Sequence, residues 1–296
     1  MLISFNKKYT FLLIALAAGS VEAKVVSTPM DLVEWKYRGG TFHCSLNQQV
    51  QNFGEVSFVA DAGENLILKV KPMRPLAQFD RAGLYLQDGP WVETPKQTSL
   101  SPGKQVDPTE VRFTGTGAVD TLLDGMTAGQ WARIALTYQN TNSPVDLMLS
   151  SVNMSDALAE FSACRSRLPA MSYRQARDMV FQYEMGQRTV SPEQKETLTK
   201  LAEYIRLDKS VSKVLIDGHS DIVGSNLGNI QVSKVRADDI ASFLREAGVK
   251  NNLIQIRAHG ARYPIANNKT AQGQALNRRV TVRVLRADNN DKSRVQ

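Results

Sequence analysis

The sequence predicts two domains: a mostly-β N-terminal half, and an α+β C-terminal half whose helices cover one face of a mixed sheet. Three observations lead there. The chain has 296 residues, room for two domains of ordinary size. From residue 24 to about 150, short and partly alternating apolar runs are divided by turn signals, the pattern of strands. From 177 onward, strand-like runs alternate with segments of helical period.

Residues 1–23 precede the fold and read as an export signal that is removed. Lys7 and Lys8 form a charged start, "FLLIALAAG" (11–19) is a short apolar run, and Val21-Glu22-Ala23 fits a cleavage site. The alternative, an uncleaved anchor, needs roughly 20 apolar residues. No later run of 18 or more apolar residues occurs, so the mature chain is expected to lack a transmembrane segment. Removal takes two Lys and one Glu from 36 Lys+Arg and 29 Asp+Glu, leaving 34 against 28. That modest basic excess fits an acidic polymer partner or solubility alone. No basic run with interleaved aromatics appears, so nucleic acid is not an expected partner.

The expected strands of 24–170 are 55–60, 65–71, 83–87, 133–138 and 146–150. Asp61-Ala62-Gly63, Asp88-Gly89-Pro90, Ser101-Pro102-Gly103 and Ser143-Pro144 punctuate them. They are too short and irregular for a membrane barrel. "SDALAEFSACRSRL" (155–168) reads as a helix capped by Ser155, and the domain boundary falls near Pro169. Cys44 and Cys164 are the only cysteines, and in an exported chain they are expected to form a disulfide that ties the end of this domain to its beginning. Two free thiols are the alternative. Neither Cys sits in a zinc-type spacing, and no metal or other cofactor is expected.

In 171–287 the expected order is β-α-β-α-β-β. "RDMVFQYE" (177–184) is a strand, and Ser191-Pro192-Glu193-Gln194 opens a helix with Leu198, Leu201, Ala202 and Ile205 inward. "KVLID" (213–217) is a strand. "VSKVRADDIASFLREAG" (232–248) is a helix with Val235, Ile240, Phe243 and Leu244 inward and Gly248 as its stop. "LIQIRAHG" (253–260) and "RRVTVRVLR" (278–286) complete the sheet, and 288–296 is a polar tail.

"GHSD" (218–221) invites a hydrolase reading, which geometry opposes. G-x-S-x-G lacks its second Gly here, and three consecutive residues do not converge as a triad. No phosphate-binding G-x-x-x-x-G-K-[ST] loop exists either. The residues favour a pocket instead. Asp221 ends a strand, and Arg236 is expected in the first turns of the next helix, near free N–H groups that favour an anion. With the loop 222–231 folded back, Asp221 would hold an ammonium and Arg236 a carboxylate. A purely structural Asp221–Arg236 ion pair is the competing reading.

Four ordered motifs decide between them: "GHSD", Asn229 to Ser233 with Arg236-Ala237, "HGARYPIANNKT" (259–270) and "GQALNRRV" (273–280). Together they resemble the OmpA-like peptidoglycan-binding domain family over roughly 175–286. The resemblance implies that Asp221 and Arg236 hold the diaminopimelate of the peptide stem, and that Asn229 and Arg279 line or brace the pocket. Val232 stands where Leu is usual, and Gly260-Ala261-Arg262 where an aromatic is common.

Cys44-Ser45-Leu46, Phe53-Gly54, Pro90-Trp91 and "LSSVNMSDALAEFSAC" (149–164) resemble the family of sodium-type flagellar motor MotY proteins. That resemblance implies a periplasmic structural protein, not an enzyme, whose 24–170 half meets a MotX-like partner and the flagellar basal-body rings. It implies indirect support of the stator and anchoring to peptidoglycan through the second half. A wall-anchored envelope protein without a motor role is the first rival, and a wall-active enzyme the second.

Overall fold

Alternation of apolar and polar residues builds the N-terminal half of this computed structural model, which describes residues 23–74, 79–107, 109–138 and 145–287. The export signal up to residue 22, the Ser143-Pro144 turn and the tail 288–296 lie outside the described residues. In chain order the elements are β1 (Lys24–Ser27), β2 (Trp35–Gly39), β3 (His43–Val50), β4 (Gly54–Asp61), β5 (Ile67–Pro72), β6 (Phe79–Gln87), β7 (Gln97–Pro102), β8 (Lys104–Asp107), β9 (Glu110–Phe113), α1 (Ala118–Thr127), β10 (Trp131–Tyr138), β11 (Val145–Leu149) and α2 (Ser155–Arg165). One sheet runs β2-β3-β4-β5-β9-β8 and the other β1-β11-β10-β6-β7. Leu46, Phe58 and Leu68 of the first share a single core with Leu84, Ile134 and Leu147 of the second. A two-sheet arrangement buries the inner face of each strand, and on β3 and β4 most of the outer face is covered as well.

Several details depart from expectation. Strands β1, β2, β3, β7, β8 and β9 are additional to the five expected. Helix α1 was not expected. Its inward stripe Val119, Leu122, Leu123 and Met126 keeps helical spacing, and Gly125, a poor helix former, lies beside it. The glycine has a packing reason, since a Cβ there would meet Leu86 Cδ2 at 2.3 Å. Ser155 is not the cap of α2. It is the first helical residue, Met154 precedes it without a side-chain cap, and the helix stops at Arg165. Cys44 on β3 and Cys164 on α2 are disulfide-bonded, with Cα atoms 6.1 Å apart.

The second half contains α3 (Tyr173–Ala176), β12 (Asp178–Gln182), α4 (Pro192–Leu207), β13 (Val211–Gly218), α5 (Asn226–Glu246), β14 (Ile254–Ala258), α6 (Ala271–Asn277) and β15 (Arg279–Arg286). The sheet order is β12-β15-β13-β14, with β13 and β14 parallel and the other pairs antiparallel. Val214 and Ile216 of β13 and Val280, Val282 and Val284 of β15 are buried with Leu198, Leu201 and Ile205 of α4 and Ile240 and Leu244 of α5. Lys213 and Asp217 alternate to the less covered face. The Ser191/Gln194 capping box that opens α4 forms as expected. The short α3 and α6 are additions to the expected order. Helix α5 starts at Asn226 rather than near 232, because Ser225 caps it by accepting from Gly228 N. Its inward face holds Arg236 and Ala237, while Val235 is only half-buried.

Leu168 packs on the first core and Met171 on the second. Across the junction, Gly63 N donates to Pro169 O at 3.1 Å, and Gln175 Nε2 donates to Gly63 O at 3.1 Å. Phe42 reaches from the N-terminal half to lie 5.3 Å, centroid to centroid, from Tyr204 of α4.

Candidate functional site

Strand β13 ends at Gly218, where α5 crosses at backbone contact. A Cβ at this position would sit 2.1 Å from Ser233 O, so only glycine admits the helix. The turn that follows is fixed by His219 N donating to Arg279 O (2.8 Å) and Ser220 N to Gly260 O (2.9 Å). Asp221 is thereby presented at the strand end. Its Oδ1 accepts from Val223 N at 3.1 Å and its Oδ2 from Arg278 Nη1 at 2.8 Å.

Asn229 and Arg236 lie on one face of α5, separated by two turns. Arg236 is only 2% exposed. Its Nε donates to Gln187 O at 2.9 Å and Nη2 to Glu184 O at 3.4 Å, and its guanidinium lies 4.8 Å from the Tyr183 ring centroid. Nη1 is buried with no partner. Burial is the main influence lowering the Arg236 pKa; Tyr183 and Asp221 oppose it, and Arg278 and Arg188 add to it. A cavity of about 200 Å³ opens here, lined among others by Asp221, Asn229, Arg236, Arg278, Arg188 and Met185.

The structure thus brings Asp221, Asn229 and Arg236 to one cavity. It does not bring Arg279 there. Arg279 is buried and turned away, donating from Nη2 to Tyr263 O (3.1 Å) and from Nη1 to Asn277 O (3.5 Å). Its neighbour Arg278 lines the cavity instead. Adjacent residues entering a strand point to opposite sides, a choice that "NRRV" does not reveal without the register. Asp221 and Arg236 form no direct ion pair, because the partner of Asp221 is Arg278. Arg236 sits on the third turn of α5, well past the free N–H groups expected to accompany it. Arg188, in the segment between β12 and α4, carries no sequence signal of its role. Buried Asn277 knits the surrounding loop, accepting from Ile265 N at 2.8 Å and Ala266 N at 3.1 Å.

Ser220, His219 and Asp221 do not converge as a relay. Ser220 Oγ donates to Asp221 O at 2.9 Å, and the His219 ring stacks on His259 with centroids 5.0 Å apart. Burial, then the charges of Arg279 and His259, push the His219 pKa down to about 4, so it is neutral at pH 7. The site is therefore a cationic, partly apolar recess with one carboxylate, suited to binding an anionic or zwitterionic group.

Comparison with known proteins finds two families along the chain. Residues 27–169 match the MotY N-terminal domain family, and residues 182–278 match the OmpA family. The sodium-type flagellar protein MotY of Vibrio parahaemolyticus is 24% identical over 266 residues, covering 88% of this chain and 89% of that protein. The outer-membrane lipoprotein YfiB of Pseudomonas aeruginosa is 38% identical over 93 residues, covering 31% of this chain and 55% of that protein. Among solved structures, the peptidoglycan-associated lipoprotein of Burkholderia pseudomallei aligns with 40% of this chain and 99% of its own, at 20% identity and a TM-score of 0.36.

Proposed function

We propose that this chain, which joins a MotY N-terminal domain (27–169) to an OmpA-family domain (182–278), is a periplasmic structural component of the flagellar motor that anchors to peptidoglycan. One observation carries the wall-binding half of this reading: the buried Arg236, whose Nη1 has no partner, lines one cavity with the Asp221 carboxylate. That pairing of charges suits the carboxylate and ammonium of a diaminopimelate end, with the Asn229 amide beside them. The motor half rests on the similarity to the sodium-type flagellar protein, which runs through both domains. In this reading 24–170 meets a MotX-like partner and the basal-body rings, the ring so formed supports stator assembly, and the protein performs no catalysis.

The test is co-sedimentation with purified peptidoglycan sacculi. Asp221→Ala is expected to lower binding about 30-fold or more, the cost of losing one charged contact in a desolvated pair. Ser220→Ala is expected to bind normally. Normal binding by Asp221→Ala would move the ligand elsewhere. A deletion strain that swims at the wild-type rate would remove the motor role and leave a general wall anchor.

A further inference from the structure

We propose that Arg188 forms a second anion subsite at the mouth of this cavity, so that the ligand it fits carries two carboxylates and one ammonium. The inference rests on the wall-binding reading and refines it.

The charge balance of the cavity is uneven. Three guanidiniums, those of Arg188, Arg236 and Arg278, line it together with one carboxylate, that of Asp221. Arg278 is already neutralised, since its Nη1 donates to Asp221 Oδ2 at 2.8 Å. Arg236 has no ion-pair partner, only two backbone carbonyls and the Tyr183 face, and its Nη1 remains unsatisfied in the interior. Arg188 is exposed and makes no hydrogen bond or ion pair with any described residue. The acid Asp239 accepts from Val190 N at 2.8 Å and makes no ion pair with either guanidinium. Two uncompensated cations thus share a recess of about 200 Å³.

A single amino-acid end brings one carboxylate and one ammonium. Its carboxylate on Arg236 and its ammonium near Asp221 leave Arg188 unmatched. A second carboxylate close by in the same ligand would take the planar, two-point hydrogen bond that a free guanidinium offers. Wall stem peptides have such a group where glutamate is linked through its side-chain carboxyl, because its α-carboxylate then stays free beside diaminopimelate. Amidation of that carboxylate removes the charge and leaves the shape nearly unchanged. The subsite would therefore discriminate between amidated and unamidated wall.

The experiment is titration calorimetry of the full chain with two synthetic stem tripeptides, alanyl-γ-glutamyl-diaminopimelate with the glutamate α-carboxylate free or amidated and, in both, the diaminopimelate carboxyl at the glutamyl-linked centre blocked as an amide, so that it cannot take the place of the glutamate carboxylate. The wild-type chain is expected to bind the free acid about fivefold more tightly, the scale of one exposed charge pair. Arg188→Gln is expected to bind both peptides equally, at the affinity the wild type shows for the amide. Raised salt should shrink the wild-type preference, because the contact is at the solvent edge. Equal binding of both peptides by the wild type, or a preference that survives in Arg188→Gln, overturns the subsite and leaves the wall-binding reading standing. Failure of the wild type to bind either peptide, with Asp221→Ala still sedimenting normally on sacculi, overturns both.

Discussion

Arg236 is a cation held inside the domain without an ion-pair partner. Burying an ion costs several kcal/mol unless partners replace its hydration. Two carbonyls and an aromatic face offset part of that cost, and the unsatisfied Nη1 adds about 1–3 kcal/mol. A ligand carboxylate would supply what is missing, so ligand should raise the melting temperature of the second domain. Arg236→Lys keeps the charge but cannot serve both carbonyls and a ligand in one plane. Its sacculus affinity is expected to fall at least about tenfold, with a loss of about 1–2 kcal/mol in urea unfolding. A variant that binds and melts as the wild type would show that the guanidinium plane is not used. His219 gives a pH signature. Its folded pKa of about 4 lies below the unfolded value, so the unfolded chain binds more protons between the two. The contribution of His219 to stability is thus complete above about pH 6.5 and is lost as pH falls toward 4, by up to about 3 kcal/mol. Melting curves between pH 7 and 4 should show this loss, and His219→Gln should flatten it. An unchanged slope in His219→Gln would assign the loss to another group.

At the scale of elements, the site depends on how closely α5 crosses β13. Gly218→Ala pushes a methyl against Ser233 O, and backbone has little room to yield. A loss of about 1–3 kcal/mol is expected in the second domain alone, read as a lower transition for that domain with the other unchanged. The β3–α2 disulfide is the corresponding tie in the first domain. Labelling under denaturing, non-reducing conditions should find no free thiol, and Cys164→Ser should cost about 4–5 kcal/mol by loop entropy. Much of this level was legible in the sequence. The Ser191 capping box and the valine alternation of β15 are local signals, and they specified α4 and the last strand directly. Helix α1 is less legible: its stripe has helical spacing, but Gly125 within it and Gly117 and Gly129 at its ends are breaker signals. The early start of α5 is not legible because its first turn, Asn226 to Asn229, has no apolar period and is set by Ser225. At the site, Asp221, Asn229 and Arg236 were legible by motif. That Arg278 lines the cavity while Arg279 braces the turn beside it was not, since it depends on strand register, and Arg188 was not, since it depends on where a loop comes to rest.

The whole molecule is two cores joined at a short, hydrogen-bonded junction. Each half buries its own apolar cluster, and Phe42 crosses from the first to pack on the second. The charged cavity lies entirely in the second half. The proposed division of labour follows: the β-sandwich meets the motor, and the α+β domain holds the wall. The most direct measurement is co-sedimentation of separately produced 24–170 and 171–296 fragments with purified sacculi, with melting curves to establish that each is folded. The expected result is that 171–296 pellets with the sacculi and 24–170 stays in solution. A folded 171–296 fragment left in the supernatant, or a 24–170 fragment that pellets, would contradict the assignment of wall binding to the cavity beside Asp221 and Arg236.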